Sequence, residues 1–383
     1  MIFDPVKLSQ DLIKIPSVSG QKTTIIEFFQ KTIEELGFQT DILNFEGDGG
    51  SYPVSNIHGV FNPNNSENIL YFAGHLDVVP QGEEGVWNYL PFAAKIANNH
   101  LFGRGTSDMK CAIACFVAAV SEFLNKNKKP NFGIGLLITG DEEAESINGT
   151  KKMLAWMKEN NQKMTNCIVG EPTSSKKLGD MIKIGRRGSV CFELRVNGKQ
   201  GHVAYPELAI NPITALTNIL KILKDHNLDN GNDFFDPSNL EITYIYAPDT
   251  GSNVIPDYAL AKFNIRFNDS HNSKELIDWV KYVCSKSVIK GNYELDFRVS
   301  GESFITKPGF LSDLIAKSIK ETIDVKTEIS TTGGTSDARF IKDFCPTVEI
   351  GMLNKTAHKI DENVSLDDIV NLKDIYKKVL ELY

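Results

Sequence analysis

Apolar residues recur along the chain with two periods, and the switches between them divide it into three stretches. In the first stretch, helical spacing at 4–14 and 21–36 gives way to strand-like runs at 38–45, 54–61 and 69–74. A helix filled with Ala and apolar residues is predicted from Ser107, as N-cap, through Leu124, where a Lys/Asn cluster stops it. The runs F-G-I-G-L-L-I-T (132–139) and N-C-I-V-G (166–170) read as buried strands. Such alternation predicts an α/β fold, with a central mixed sheet flanked by helices.

Between 181 and 299 the pattern changes. Alternating runs at 182–196, 240–246, 254–267 and 293–299 enclose two helical patterns, 211–224 and 273–288. Their order is β-α-β-β-α-β, the split arrangement of a ferredoxin-like α+β domain. After residue 300 the helix–strand alternation of the first stretch resumes, including P-T-V-E-I-G (346–351) and a last helix at about 366–382. The expected organisation is one α/β domain built from 1–180 and 300–383, with 181–299 inserted into it.

Composition narrows the classes. The 383 residues exceed a typical single domain, and 41% hydrophobic with 23% charged residues is ordinary for a soluble protein. A net charge of −8 argues against a nucleic-acid partner, which needs a basic surface. Neither a signal-like N-terminus nor an apolar run of about 20 residues is evident, so no membrane partner and a cytoplasmic location are expected. The scattered Cys111, Cys115, Cys167, Cys191, Cys284 and Cys345 contain no C-x-x-C pair and read as reduced, buried thiols.

Chemistry enters where predicted strands end. The 69–74 run opens into G-H-L-D-V-V-P, bringing His75 and Asp77; the 132–139 run opens into G-D-E-E, bringing Glu142 and Glu143; the 166–170 run delivers Glu171. Asp108 stands at the mouth of the predicted helix, and His358 follows the 346–351 run. Ligands of α/β folds gather outside strand ends, so these groups are placed to converge. Two imidazoles with carboxylates form a nitrogen–oxygen set suited to zinc or a similar divalent ion. One carboxylate can bridge two cations, and Asp108 is the best candidate because it leaves a histidine and a glutamate for each. Of the adjacent Glu142 and Glu143, one can ligate while the other serves as general base. Asp77 is placed to orient the His75 ring. Taken singly, each group reads more simply as a solvated loop residue; five together are harder to dismiss. His58, His100, His226 and His271 lack such neighbours and receive no role.

The strings G-H-L-D-V-V-P, G-R-G-T-S-D-M-K, D-E-E, G-E-P and H-K-I-D-E-N, in this order over nearly the whole chain, resemble the M20 metallopeptidases, most closely the succinyl-diaminopimelate desuccinylases. The resemblance implies two zinc ions, with cobalt or manganese able to substitute. His75 and Glu171 would hold one, Glu143 and His358 the other, and Asp108 would bridge. It makes Glu142 the general base and Asp77 the orienting carboxylate. It also implies that the inserted domain mediates a homodimer and that His202, in G-K-Q-G-H-V-A-Y-P, stabilises an oxyanion in the partner's site. The strings I-K-I-G-R-R-G-S, G-S-N-V-I-P, F-N-I-R-F and T-T-G-G-T-S-D-A-R-F resemble the desuccinylase pattern. They suggest that Lys183, Arg186, Asn253, Arg266, Gly334, Thr335 and Asn354 line a site for a small N-acyl diamino acid. Ala338 and Gly140 stand where glycine and serine are usual, leaving acetylornithine deacetylase or a broader N-acyl amino acid or dipeptide hydrolase as the alternative.

Overall fold

The computed structural model describes residues 1–47, 51–62, 64–127, 129–288 and 292–383. Two compact units emerge: residues 1–184, 306–330 and 336–383 form the first, and residues 185–305 with 331–335 form the second.

The first unit is built on an eight-stranded mixed sheet. Its spatial order is Gln39–Phe45, Val54–Phe61, Gly133–Thr139, Ile69–His75, Asn166–Val169, Thr347–Glu349, Met181–Lys183 and Glu328–Ser330. The four central strands, from Gly133–Thr139 to Thr347–Glu349, run parallel. Ile69–His75 and Gly133–Thr139 are buried at every position, as strands covered on both faces must be. His75 lies opposite Thr139, while Ala73 and Glu349 both lie opposite Val169. The chain therefore leaves all four central strands along one edge of the sheet.

Helix Cys111–Lys126 buries thirteen of its sixteen residues, which places it inside the layer and not on the surface. It packs against the last helix, Leu366–Leu382. Phe72 from the sheet stacks on Phe116 at 4.3 Å, and Tyr376 meets both rings edge-on at 5.5 and 5.6 Å. Each such pair adds about 0.5–1.5 kcal/mol beyond the area it buries.

The second unit carries a four-stranded antiparallel sheet in the order Asn239–Tyr246, Tyr258–Phe267, Gly188–Asn197, Asn292–Gly301. Helices Pro212–Asp225 and Ser273–Ser287 complete the β-α-β-β-α-β order, which with this strand arrangement is the ferredoxin-like topology. The side chains of Asn211 and Asn272 cap these helices by accepting from backbone N–H groups of the first turn. Alternate residues Val190, Phe192, Leu194 and Val196 share a core with Leu216, Ile219 and Val280 from the helices.

The expected and observed elements differ in informative places. Ser107 does not cap a helix; the regular helix begins at Cys111, because Asp108 and Met109 take non-helical φ values of −128° and −136°. Met181–Lys183 pairs within the large sheet, so the smaller unit starts after it. Residues 331–335 join the second unit, where Arg186 Nη1 donates to the Gly334 carbonyl at 3.0 Å and Thr331 Oγ1 donates to the Phe234 carbonyl. Helices Thr150–Glu159 and Phe310–Ile323 lack any expectation from the apolar pattern. Five cysteines are buried free thiols as expected, but Cys191 is exposed. No helix among the described residues is long and apolar enough to cross a membrane.

Candidate metal centre

Every group proposed for metal chemistry lies in the first unit, at the edge where the parallel strands end. His75 is the last residue of its strand and is buried. Its Nδ1 faces the Asp77 carbonyl at 3.0 Å. A carbonyl only accepts, so Nδ1 carries the hydrogen and Nε2 is left as a donor to a metal. The Asp77 carboxylate lies 3.7 Å from that nitrogen, too far for a hydrogen bond. It accepts instead from Glu142 N at 3.1 and 3.2 Å, from Glu143 N at 3.1 Å and from Ser19 Oγ at 2.7 Å. The side chain of Asp77 thus holds the glutamate pair, and its backbone orients the imidazole.

Asp141, which sequence reasoning passed over, anchors the other side of the same loop. Its Oδ1 accepts from Tyr52 Oη at 2.7 Å, and its Oδ2 accepts from Ile147 N and Asn148 N at 2.9 Å. The run D-E-E held this signal, because three adjacent acids at a strand end cannot all face one cavity.

Asp108 lies between two imidazoles. Its Oδ1 is 3.1 Å from His75 Nε2, and its Oδ2 is 3.2 Å from His358 Nε2. Glu171 Oε1 approaches His75 Nε2 at 3.5 Å, whereas Glu143 Oε1 approaches His358 Nε2 at 3.1 Å. Glu142 Oε2 stands 4.0 Å from His75 Nε2. His75, Asp108 and Glu143 offer ligand atoms within 4.8 Å of one another, as do His75, Glu142 and Glu171. His358 is half exposed and takes a left-handed φ of 61°, a conformation that costs a non-glycine residue about 1–3 kcal/mol.

The electrostatics match a cation site. Burial and then the Glu171 charge raise the proton affinity of Glu142 well above the carboxylate range, and burial with the Asp108 charge lifts Glu171 to about 7. Hydrogen bonds to Asp108 and Glu143 push His358 up to about 10. The carboxylates around His75, despite its burial, and around His358 raise the proton affinity of both imidazoles. A divalent ion replaces protons on such groups as it binds, so the donor set fits a metal.

The residues proposed for substrate divide between the units. Lys183 and Asn354 belong to the first, where Lys183 is buried and donates to Ser330 Oγ at 3.2 Å. His202, Arg186, Asn253, Arg266, Gly334 and Thr335 belong to the second. There the Asn253 carbonyl accepts from Val203 N at 3.1 Å, setting Asn253 beside exposed His202. Arg186 meets Gly334 through its Nη1 hydrogen bond to the carbonyl.

Residues 71–382 match the peptidase family M20/M25/M40. The chain is 47% identical over 384 aligned positions to a curated succinyl-diaminopimelate desuccinylase of Ehrlichia canis, covering 100% of this chain and 99% of that one. Among solved structures it is similar to an M20 family metallo-carboxypeptidase of Sulfolobus solfataricus, with a TM-score of 0.78 at 19% identity, covering 100% and 99% of the two chains. A Bacillus subtilis protein described as a dinuclear metal binding peptidase of the M20 family aligns with a TM-score of 0.67 at 14% identity, covering 99% and 97%.

Proposed function

Since the chain belongs to the peptidase family M20/M25/M40, we propose that it hydrolyses N-succinyl-LL-2,6-diaminopimelate to succinate and LL-2,6-diaminopimelate, a step of lysine biosynthesis. Full-length similarity to succinyl-diaminopimelate desuccinylases supports the substrate. The observation that carries the chemistry is the placement of Asp108, one carboxylate oxygen towards each of two histidines.

Two zinc ions would fit: His75 and Glu171 would hold one, Glu143 and His358 the other, with Asp108 across both. Cobalt and manganese share these donor preferences and would substitute. When bound, such ions polarise a carbonyl and make water acidic enough to be deprotonated near neutral pH.

Glu142 then has the central task. Its carboxylate takes a proton from the attacking water as the water oxygen bonds to the amide carbon. It passes that proton to the amide nitrogen as the carbon–nitrogen bond breaks, leaving succinate and an amine. Burial and the neighbouring Glu171 charge raise its proton affinity, the direction in which a carboxylate becomes a stronger base. Asp77 keeps Glu142 and Glu143 in register by binding both amide N–H groups. His202 would donate to the carbonyl oxygen as it gains charge, contributed by the second copy of a homodimer. Exposed Tyr244, Ile245 and Tyr246 on the edge strand Asn239–Tyr246 support a pairing surface in that unit. Lys183, Arg186 and Arg266, with Asn253, Gly334, Thr335 and Asn354, would receive the substrate's carboxylates and amine. A cytoplasmic location accords with this reaction.

The reading is tested by comparing kcat/KM for succinyl-diaminopimelate, acetylornithine and a dipeptide in the presence of zinc. Preference for the succinylated substrate is expected; preference for either competitor would transfer the chain to that activity.

A further inference from the structure

Glu362 lies four residues beyond His358 and is fully buried. Both of its carboxylate oxygens are engaged on the loop that carries Asp108. Oε2 accepts from Arg104 Nη1 at 2.7 Å and Gly105 N at 3.1 Å; Oε1 accepts from Ser107 N at 2.8 Å and Asp108 N at 3.2 Å. The backbones are tied as well. Gly103 N donates to the Glu362 carbonyl at 2.9 Å, Arg104 Nη1 donates to the Lys359 carbonyl at 3.2 Å, and Asn363 pairs with Phe102.

These contacts explain the displaced start of the central helix. The N–H groups of Ser107 and Asp108 find their acceptor in a side chain 254 to 255 residues away. Asp108 is thereby free to take its extended φ and direct its two oxygens at different histidines.

We propose that Glu362 is a positioning residue for the metal centre: its carboxylate builds the Asp108 loop and locks it to the segment bearing His358, fixing the bridging ligand before any metal arrives. This rests on the two-metal reading of the site. A carboxylate is required because four donors converge on two oxygens. A glutamine would present one oxygen and one NH₂ group, and the NH₂ would face N–H donors at whichever position it occupied.

The test uses Glu362→Gln with titration calorimetry of the metal-free protein against zinc, its thermal melting, and steady-state hydrolysis. The variant is expected to fold and to bind the weaker zinc ion about 10–100-fold less tightly. Its kcat at fixed zinc should fall in the same proportion with KM little changed, and excess zinc should restore kcat. A purely structural role would lower the melting temperature and leave zinc affinity alone. Two zinc ions bound with wild-type affinity, at wild-type kcat, would overturn the proposal.

Hydrogen exchange on the wild-type protein tests the same clamp if the variant does not fold. The amides of Gly105, Ser107 and Asp108 should be protected without metal. Protection that appears only after zinc is added would refute preorganisation. A wild-type chain that binds no zinc would sink the two-metal reading while leaving this exchange measurement decisive for Glu362.

Discussion

At Glu142 and Glu143 two adjacent carboxylates are given different surroundings. Glu143 meets His358 at 3.1 Å, whereas Glu142 stands 4.0 Å from its nearest histidine nitrogen. A glutamate that ligates and one that moves protons can therefore be told apart by substitution. Glu142→Gln should lower kcat by about 10²–10⁴-fold and leave the zinc content unchanged, as elemental analysis beside the assay would reveal. Loss of zinc would make Glu142 a ligand. His58 supplies a test remote from the metal. Burial lowers its pKa below the ordinary 6.5, and its Nε2 meets Tyr71 Oη at 2.9 Å. The unfolded chain accordingly binds the extra proton more readily than the folded one. The stability tied to neutral His58 is complete above pH 6.5 and drains away as the pH falls below it. The melting temperature should thus drop between pH 8 and pH 5.5, and drop less in His58→Gln; an equal drop in both would remove His58 from the account. His58 has no functional motif around it, but its apolar strand neighbours make its burial readable from the sequence.

The elements that hold the site are short-range in sequence at one end and long-range at the other. Strands Ile69–His75, Gly133–Thr139 and Asn166–Val169 are legible because unbroken apolar runs stop at polar motifs. The Asp108 loop is not legible as a loop: its residues follow a helix-start pattern, and acceptors far along the chain, the Glu362 carboxylate and the Leu353 carbonyl that takes Ser107 Oγ, keep it irregular. The carboxylate of Asp77 goes elsewhere than expected for a similar reason. Its proximity to His75 in sequence suggests the imidazole, yet the amides of Glu142 and Glu143 displace the ring once the strands align. Packing of this loop against the sheet is tight at Gly170. A Cβ there would lie 2.5 Å from both Met109 Cε and Phe72 Cζ, and Met109 adjoins Asp108. Gly170→Ala should destabilise the protein by about 1–3 kcal/mol in denaturant titration, as overpacked interiors do, and weaken zinc binding together with it. A variant with unaltered stability and affinity would show that Met109 yields without moving its neighbour.

For the whole molecule, metal and fold should be linked. The centre crowds carboxylates from separate strand ends, so an ion that binds the folded state alone stabilises it by mass action, about 2.7 kcal/mol at one hundred times its Kd. Chelation should lower the melting temperature and zinc should restore it in scanning calorimetry; identical melting with and without chelator would argue against tight sites. What the sequence determined by itself was local or periodic: the α/β alternation, the inserted β-α-β-β-α-β run, and the acids and imidazoles waiting at strand ends. Those features follow from side-chain periodicity and turn chemistry within a few residues. Tertiary structure alone decided which strands became neighbours, the true partners of Asp77 and the clamp by Glu362. Such outcomes depend on donors and acceptors far apart along the chain, or on strands whose pairing no local pattern encodes, and they form only when the buried polar groups of the whole unit are satisfied together.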